Sequence, residues 1–131
     1  MIGLDTNILV RYITQDDYDQ GRLARRLIES LSEDRPAYVS LIALAELCWV
    51  LTQRYKIPRI DLLRTVDWLL ESTELLIEAQ EQVAEARDRF SNTNADFGDC
   101  LIYCCSAASG CNSIVTFDKR AAKSVGMTLL S

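Results

Sequence analysis

The chain has 131 residues, about half of them apolar and a quarter charged, with a formal net charge of −5 and no histidine. That size and balance predict one globular domain over residues 1–131 with a core of its own, and the acidity argues against a protein that coats nucleic acid nonspecifically, since phosphate binding rests on Lys and Arg. Without histidine there is no Ser-His-Asp triad, no Cys-His dyad, no paired-His ribonuclease chemistry and no His-ligated zinc, so hydrolysis here has to run on carboxylates and a metal.

The N-terminus has neither a positive n-region nor a long apolar stretch, and no window is long enough to span a bilayer, so a cytoplasmic location with no membrane contact is expected. Five cysteines are an odd number with no CxxC pair. They read as reduced thiols, and Cys100, Cys104 and Cys111 on one helical face read as small core hydrophobes.

In chain order, residues 2–4 form a short apolar run that ends at Asp5-Thr6-Asn7, three good N-cap types, before the helical segment 8–13. This is a strand, a carboxylate at its C-terminal end, then a helix. Residues 16–31 carry Leu23, Leu27, Ile28 and Leu31 at helical spacing, with Arg22, Arg25 and Arg26 among the polar positions. Pro36 precedes a strand at 37–39. Ser40 then caps "LIALAELCWVL", which is apolar on nearly every side except for Glu46 and therefore reads as a buried helix. Pro58 breaks the chain before a helix at 60–70. A third strand is predicted at 74–78, a helix at 81–90 and a polar loop at 91–94. A helix over 96–109 is closed by Gly110. The β-branched run 113–117 is a strand, 118–123 a short helix and 127–130 a last strand. Strands alternating with helices predict an α/β fold in three layers, a central mostly parallel sheet flanked by helices.

In open sheets of this class ligands bind at the carboxyl ends of strands, where Asp5 and Asp118 stand. An ionised carboxylate on a buried helix needs a salt-bridge partner, a path to the surface from the helix edge, or a metal, which singles out Glu46. Asp96 and Asp99 lie three apart at a helix start; one can cap while the other points into the cleft, and Asp99, next to the apolar 100–102, is better placed for that. Gathered together, Asp5, Glu46, Asp99 and Asp118 would repel by about 4 kcal/mol per pair ~4 Å apart at an effective dielectric of 20. A hard divalent cation reverses the sign. All-oxygen ligands suit Mg²⁺ or Mn²⁺, and such an ion supplies an activated water and stabilises charge on a phosphoryl group.

The order "GLDTNILVRY", "VSLIALAEL", "ADFGDCLIYCCSAASGC", "IVTFDKRAA" resembles a PIN domain, in particular the VapC-type toxins of bacterial toxin-antitoxin pairs, almost end to end. The resemblance implies a PIN-like fold and a Mg²⁺- or Mn²⁺-dependent endoribonuclease, usually a homodimer, whose antitoxin occupies the active-site groove. It implies Asp5, Glu46, Asp99 and Asp118 as the catalytic and metal-binding acids, Asp96 as an auxiliary acid, and Thr6, Asn7 and Thr116 as polar residues that orient them. Tyr103, Cys104 and Cys105 depart from the small residues common there, which touches packing and not the acids. Arg11 and Lys119, along with Arg22, Arg25, Arg26 and Arg120, are candidate contacts for RNA phosphates or for an acidic stretch of the antitoxin, although scattered surface charge is the commoner explanation of such residues. Trp49 and Trp68 are expected as core or interface anchors. A receiver domain would need an acidic pair after the first strand, and a haloacid-dehalogenase-type phosphatase an Asp where Asn7 stands. The remaining alternative is a noncatalytic PIN-fold module that binds RNA or protein; it would be supported by loss of an acid, and none is missing.

Overall fold

The apolar N-terminal run forms β1 (Ile2–Gly3), which pairs in parallel with β2 (Ala37–Val39), itself parallel to β3 (Leu75–Ile77). Parallel neighbours need long crossovers, and two helices lie between each successive pair: α1 (Thr6–Thr14) and α2 (Tyr18–Glu29), then α3 (Leu41–Gln53) and α4 (Arg59–Glu71). The computed structural model describes residues 1–131 and divides into two compact units, 1–78 and 79–131. The sheet of three strands belongs wholly to the first. Ala37, Val39, Leu75 and Ile77 share its buried face, whereas Leu76 on the other is exposed.

Local chemistry sets the helix ends. Asp5 and Asp17 cap α1 and α2 with their carboxylates, and Ser40 Oγ accepts the Ala43 amide at 3.1 Å to start α3. Glu78 Oε1, just past β3, accepts the Leu41 amide at 2.8 Å, so a carboxylate sits at the positive end of α3 and anchors that helix to the neighbouring strand. Between α1 and α2, Gln15 adopts a left-handed backbone (φ 53°), held because its Nε2 donates to the carbonyls of Arg11, Tyr12 and Gly21. A Cβ on Gly21 would meet Gln15 Oε1 at 2.8 Å, so a larger residue there would displace the Gln15 side chain from this corner.

Two expected apolar faces are arranged differently. Helix α3 is buried only along Ala43, Leu44, Leu47, Cys48 and Leu51, and it exposes Ile42 at 73% and Trp49 at 57%, with Glu46 between them also exposed. The helix packs by one face although its sequence is apolar on most. In α2 the buried positions are Gly21, Ala24 and Ile28, and Leu23 turns out to solvent. Its small residues let α2 approach α1 closely, which displaces the larger leucine from the contact. The helix also begins at Tyr18 and not at Asp16, because the Asp17 carboxylate caps it by accepting the Gln20 amide at 2.9 Å.

The second unit holds α5 (Gln80–Asn92), α6 (Phe97–Ala108), β4 (Val115–Thr116), α7 (Lys119–Val125) and β5 (Thr128–Leu129). Phe90 and Phe97 meet edge to face at 5.5 Å between α5 and α6, and the Arg89 guanidinium lies 4.1 Å from the Tyr103 ring centre while donating to the Val125 carbonyl at 3.1 Å. Helix α5 continues into the expected loop, since Asn92 and Thr93 bond back to the carbonyls of Asp88 and Arg89. Gly110, at φ +96°, follows α6 as expected. Strand β4 is shorter than its β-branched run because the Thr116 hydroxyl accepts the Asp118 amide at 3.0 Å and turns the chain into α7. Its parallel pairing with β5 completes an α/β structure in which every strand pair is parallel. Cys48, Cys100 and Cys104 are buried, as expected of core thiols, but Cys111 is exposed beyond the end of α6. No helix is long and apolar enough to cross a membrane.

Candidate active site

In the first unit, Asp5 stands at the end of β1 and accepts the Thr6 amide on Oδ1 at 2.8 Å. Thr6 is buried, and its hydroxyl donates a long hydrogen bond, 3.4 Å, to Glu46 Oε1. This ties the start of α1 to the middle of α3. Both carboxylates line a cleft of about 520 Å³ together with Asn7, Arg11, Trp49, Arg54 and Tyr55. Asn7 is exposed there and bonds to neither carboxylate. Glu46 is therefore not a buried acid: on the open side of α3 it stays hydrated and incurs no desolvation cost.

The cleft wall is braced by Asp16. Its carboxylate accepts the Tyr55 hydroxyl at 2.7 Å, the Thr14 hydroxyl at 2.8 Å and Arg11 Nη1 at 3.0 Å, while Arg11 Nε donates to Gln20 at 2.7 Å. Arg11 reaches the cleft, but its guanidinium is largely engaged in this network. The Tyr55 hydroxyl first, then Thr14 and Arg11, hold the Asp16 carboxyl at about 2, below its ordinary 3.8. A depressed folded-state pKa stabilises the chain above the unfolded value and loses that contribution as pH falls through the folded one. The expected result is that urea midpoints decline between pH 4 and about 2, and that Asp16→Asn flattens this decline. An unchanged slope in the variant would assign it to other carboxylates.

In the second unit three acids surround the start of α6. Asp96 is the cap, accepting the Asp99 amide on Oδ2 at 3.2 Å. Asp99, one turn in, is half-buried. Burial first, then the charges of Asp96 and Asp118, push its carboxyl above the ordinary value, and Arg120 opposes them. Asp118 is exposed and accepts the amides of Arg120 and Ala121 on Oδ1 at 2.8 and 3.2 Å. Thr116 acts on the Asp118 backbone and not on its carboxylate. Arg120 Nη2 donates to the Asn94 carbonyl at 2.8 Å, which joins the α7 start to the loop before α6. Lys119, also exposed, begins α7 beside Asp118.

The fold thus groups Asp5, Thr6, Asn7, Arg11 and Glu46 at one cleft, and Asp96, Asp99 and Asp118 as mutually repelling charges. No three Asp, Glu, Cys or His side chains stand close enough to hold a metal ion. The donor set is nonetheless all oxygen, and the charges of Asp96 and Asp118, which add to burial in raising the Asp99 carboxyl, are what a hard cation neutralises. Two cleft residues carry weight that sequence reasoning did not assign. Arg54 is exposed with no ion-pair partner, and the signal for it was its i+8 spacing from Glu46, with Val50 between them at i+4. Trp49, expected in a core or an interface, lines the cleft instead.

A protein-family model described as the PIN domain matches residues 2–126. No curated protein matches the chain.

Proposed function

This chain belongs to the PIN domain family, and from that membership we propose that it is a Mg²⁺- or Mn²⁺-dependent endoribonuclease, the VapC-type toxin of a toxin-antitoxin pair, cytoplasmic, homodimeric and restrained by a cognate antitoxin protein. PIN domains are generally metal-dependent nucleases. The observation that carries the reading is the extent of the family match, residues 2–126, a span within which Asp5, Glu46, Asp99 and Asp118 all lie.

Those acids would hold the cation, with Asp96 as an auxiliary, and when bound it supplies an activated water and neutralises charge on the phosphodiester. The chain's own residues prepare this. The Thr6 hydroxyl orients Glu46, the first amides of α7 fix one oxygen of Asp118, and Asp96 caps α6 so that Asp99 leaves the helix in a defined direction. Arg120 limits how far the neighbouring acids raise Asp99 and so favours its ionised form. No histidine is present to deprotonate a ribose hydroxyl, which favours water as the nucleophile.

The test is cleavage of an end-labelled mixed RNA pool by the purified chain with Mg²⁺ or Mn²⁺. Cutting is expected to stop in EDTA and to leave 5′-phosphate and 3′-hydroxyl ends. Products with 2′,3′-cyclic phosphates would overturn water attack, and a folded chain that cuts nothing while remaining harmless on expression in cells would overturn the nuclease reading in favour of a binding module.

A further inference from the structure

A carboxylate and an indole on the open side of α3, Glu46 and Trp49, and a guanidinium at its C-terminal cap, Arg54, line the same cleft. Trp49 is 57% exposed, whereas the other tryptophan, Trp68, is stacked on Tyr12 at 5.2 Å between ring centres. An exposed indole on a helix whose opposite face already fills the core contributes little to folding. Arg54 has no counter-charge, in contrast to Arg11, whose guanidinium is bound by Asp16 and Gln20. In a chain of net charge −5, this cleft offers an arginine without an ion pair and an aromatic ring without a stacking partner in one lining. The cleft volume, about 520 Å³, lies within the range of small-molecule sites and accommodates a nucleotide.

We propose that this cleft is a nucleotide subsite for single-stranded RNA, in which Trp49 stacks on an unpaired base and Arg54 binds a flanking phosphate. Stacking on an aromatic side chain combined with a nearby cation is how single strands are held without sequence readout, and bases in an A-form duplex do not offer a free face to such a ring. On a helix, residues three apart are neighbours, so Trp49 would seat the base beside Glu46. The indole contributes no charge and does not add to the repulsion from Asp5 and Glu46. Arg54, eight residues and about 12 Å of helix axis from Glu46, places the phosphate contact away from the carboxylates. Every nucleotide carries a base that can stack on the ring, whereas an acidic peptide does so only where an aromatic side chain falls in register with it. The identification of the ligand as RNA rests on the nuclease reading above.

The experiment compares Trp49→Ala, Trp49→Leu and Trp49→Phe with the unmodified chain on a short mixed-sequence single-stranded RNA, measuring KM and kcat with Mg²⁺ and Kd by anisotropy in EDTA, after thermal melts establish that each variant is folded. Trp49→Ala is expected to raise KM and Kd about 5- to 150-fold with little change in kcat. Phe restores most of the loss and Leu does not, because only Phe keeps an aromatic face. Arg54→Gln is expected to reduce the slope of log Kd against log salt by about 0.7, one phosphate contact to a single strand. Restoration by Leu equal to that by Phe, or wild-type KM and Kd in Trp49→Ala, would overturn the subsite while cleavage itself sustains the nuclease reading, and would turn the α3 face into a protein-docking surface. Binding in EDTA that depends on the Trp49 ring, without cleavage in Mg²⁺, would sustain the subsite and overturn the nuclease. RNA that is neither bound nor cut would overturn both.

Discussion

Asp99→Asn is expected to reduce RNA cleavage by at least ~100- to 1000-fold while stability changes by less than about 1 kcal/mol. The amide is isosteric with the carboxylate but carries no charge for a cation or a developing transition state. The helix start survives, because the α6 cap belongs to Asp96 and uses the Asp99 backbone amide, not its side chain. Two small effects on stability oppose each other. A negative charge in the first turn of α6 favours the helix dipole, whereas burial and the charges of Asp96 and Asp118 disfavour it. Because the folded-state pKa of Asp99 is raised, its ionisation destabilises the metal-free chain as pH rises through that value, so relief in the variant appears near neutral pH and vanishes below the unfolded pKa. Paired activity assays and thermal melts at pH 7 and pH 3 check this. A variant that unfolds would make Asp99 a structural residue, and one that cuts RNA normally would remove it from the active site.

The second large effect is expected from opposite faces of α3. Leu47→Ala deletes a side chain with no exposed surface and is expected to cost about 2–5 kcal/mol through lost burial and the cavity left behind. Ile42→Ala, at a position 73% exposed on the same helix, is expected to change stability by less than about 0.5 kcal/mol. Urea unfolding measures both. Comparable losses at the two positions would mean that the outer face of α3 is covered in solution, as in a homodimer, and the loss at Ile42 would then depend on protein concentration.

The pair also marks where sequence reading stops. In "SLIALAELCWVL" the capping serine and helix are unmistakable, since Ser40 needs only the Ala43 amide three residues on. The face that packs is not, because leucine, isoleucine and tryptophan surround the axis and no polar stripe identifies the outside. Glu46 drew attention as a charge in an apolar run, yet the structure keeps it exposed, so its significance comes from the cleft it lines and not from the cost of burying it. In α2 the leucine spacing suggested a stripe, but close approach to α1 favoured Gly21, Ala24 and Ile28. Arg54 could not be told from other surface cations until Arg11 was found paired and Arg54 was not.

What the sequence determined by itself was local: the order of strands and helices, the capping role of Ser40, and the presence of the acids proposed for a histidine-free hydrolysis. Such features are set by hydrogen bonds a few residues apart and by side-chain periodicity, which the chain carries with it. Only the tertiary structure decided which faces are covered, that burial and the charges of Asp96 and Asp118 raise the Asp99 carboxyl, and that Trp49 shares a cleft with Asp5. Burial, electrostatic repulsion and cleft formation depend on distances between groups far apart in the chain, and those distances exist only once the helices have packed.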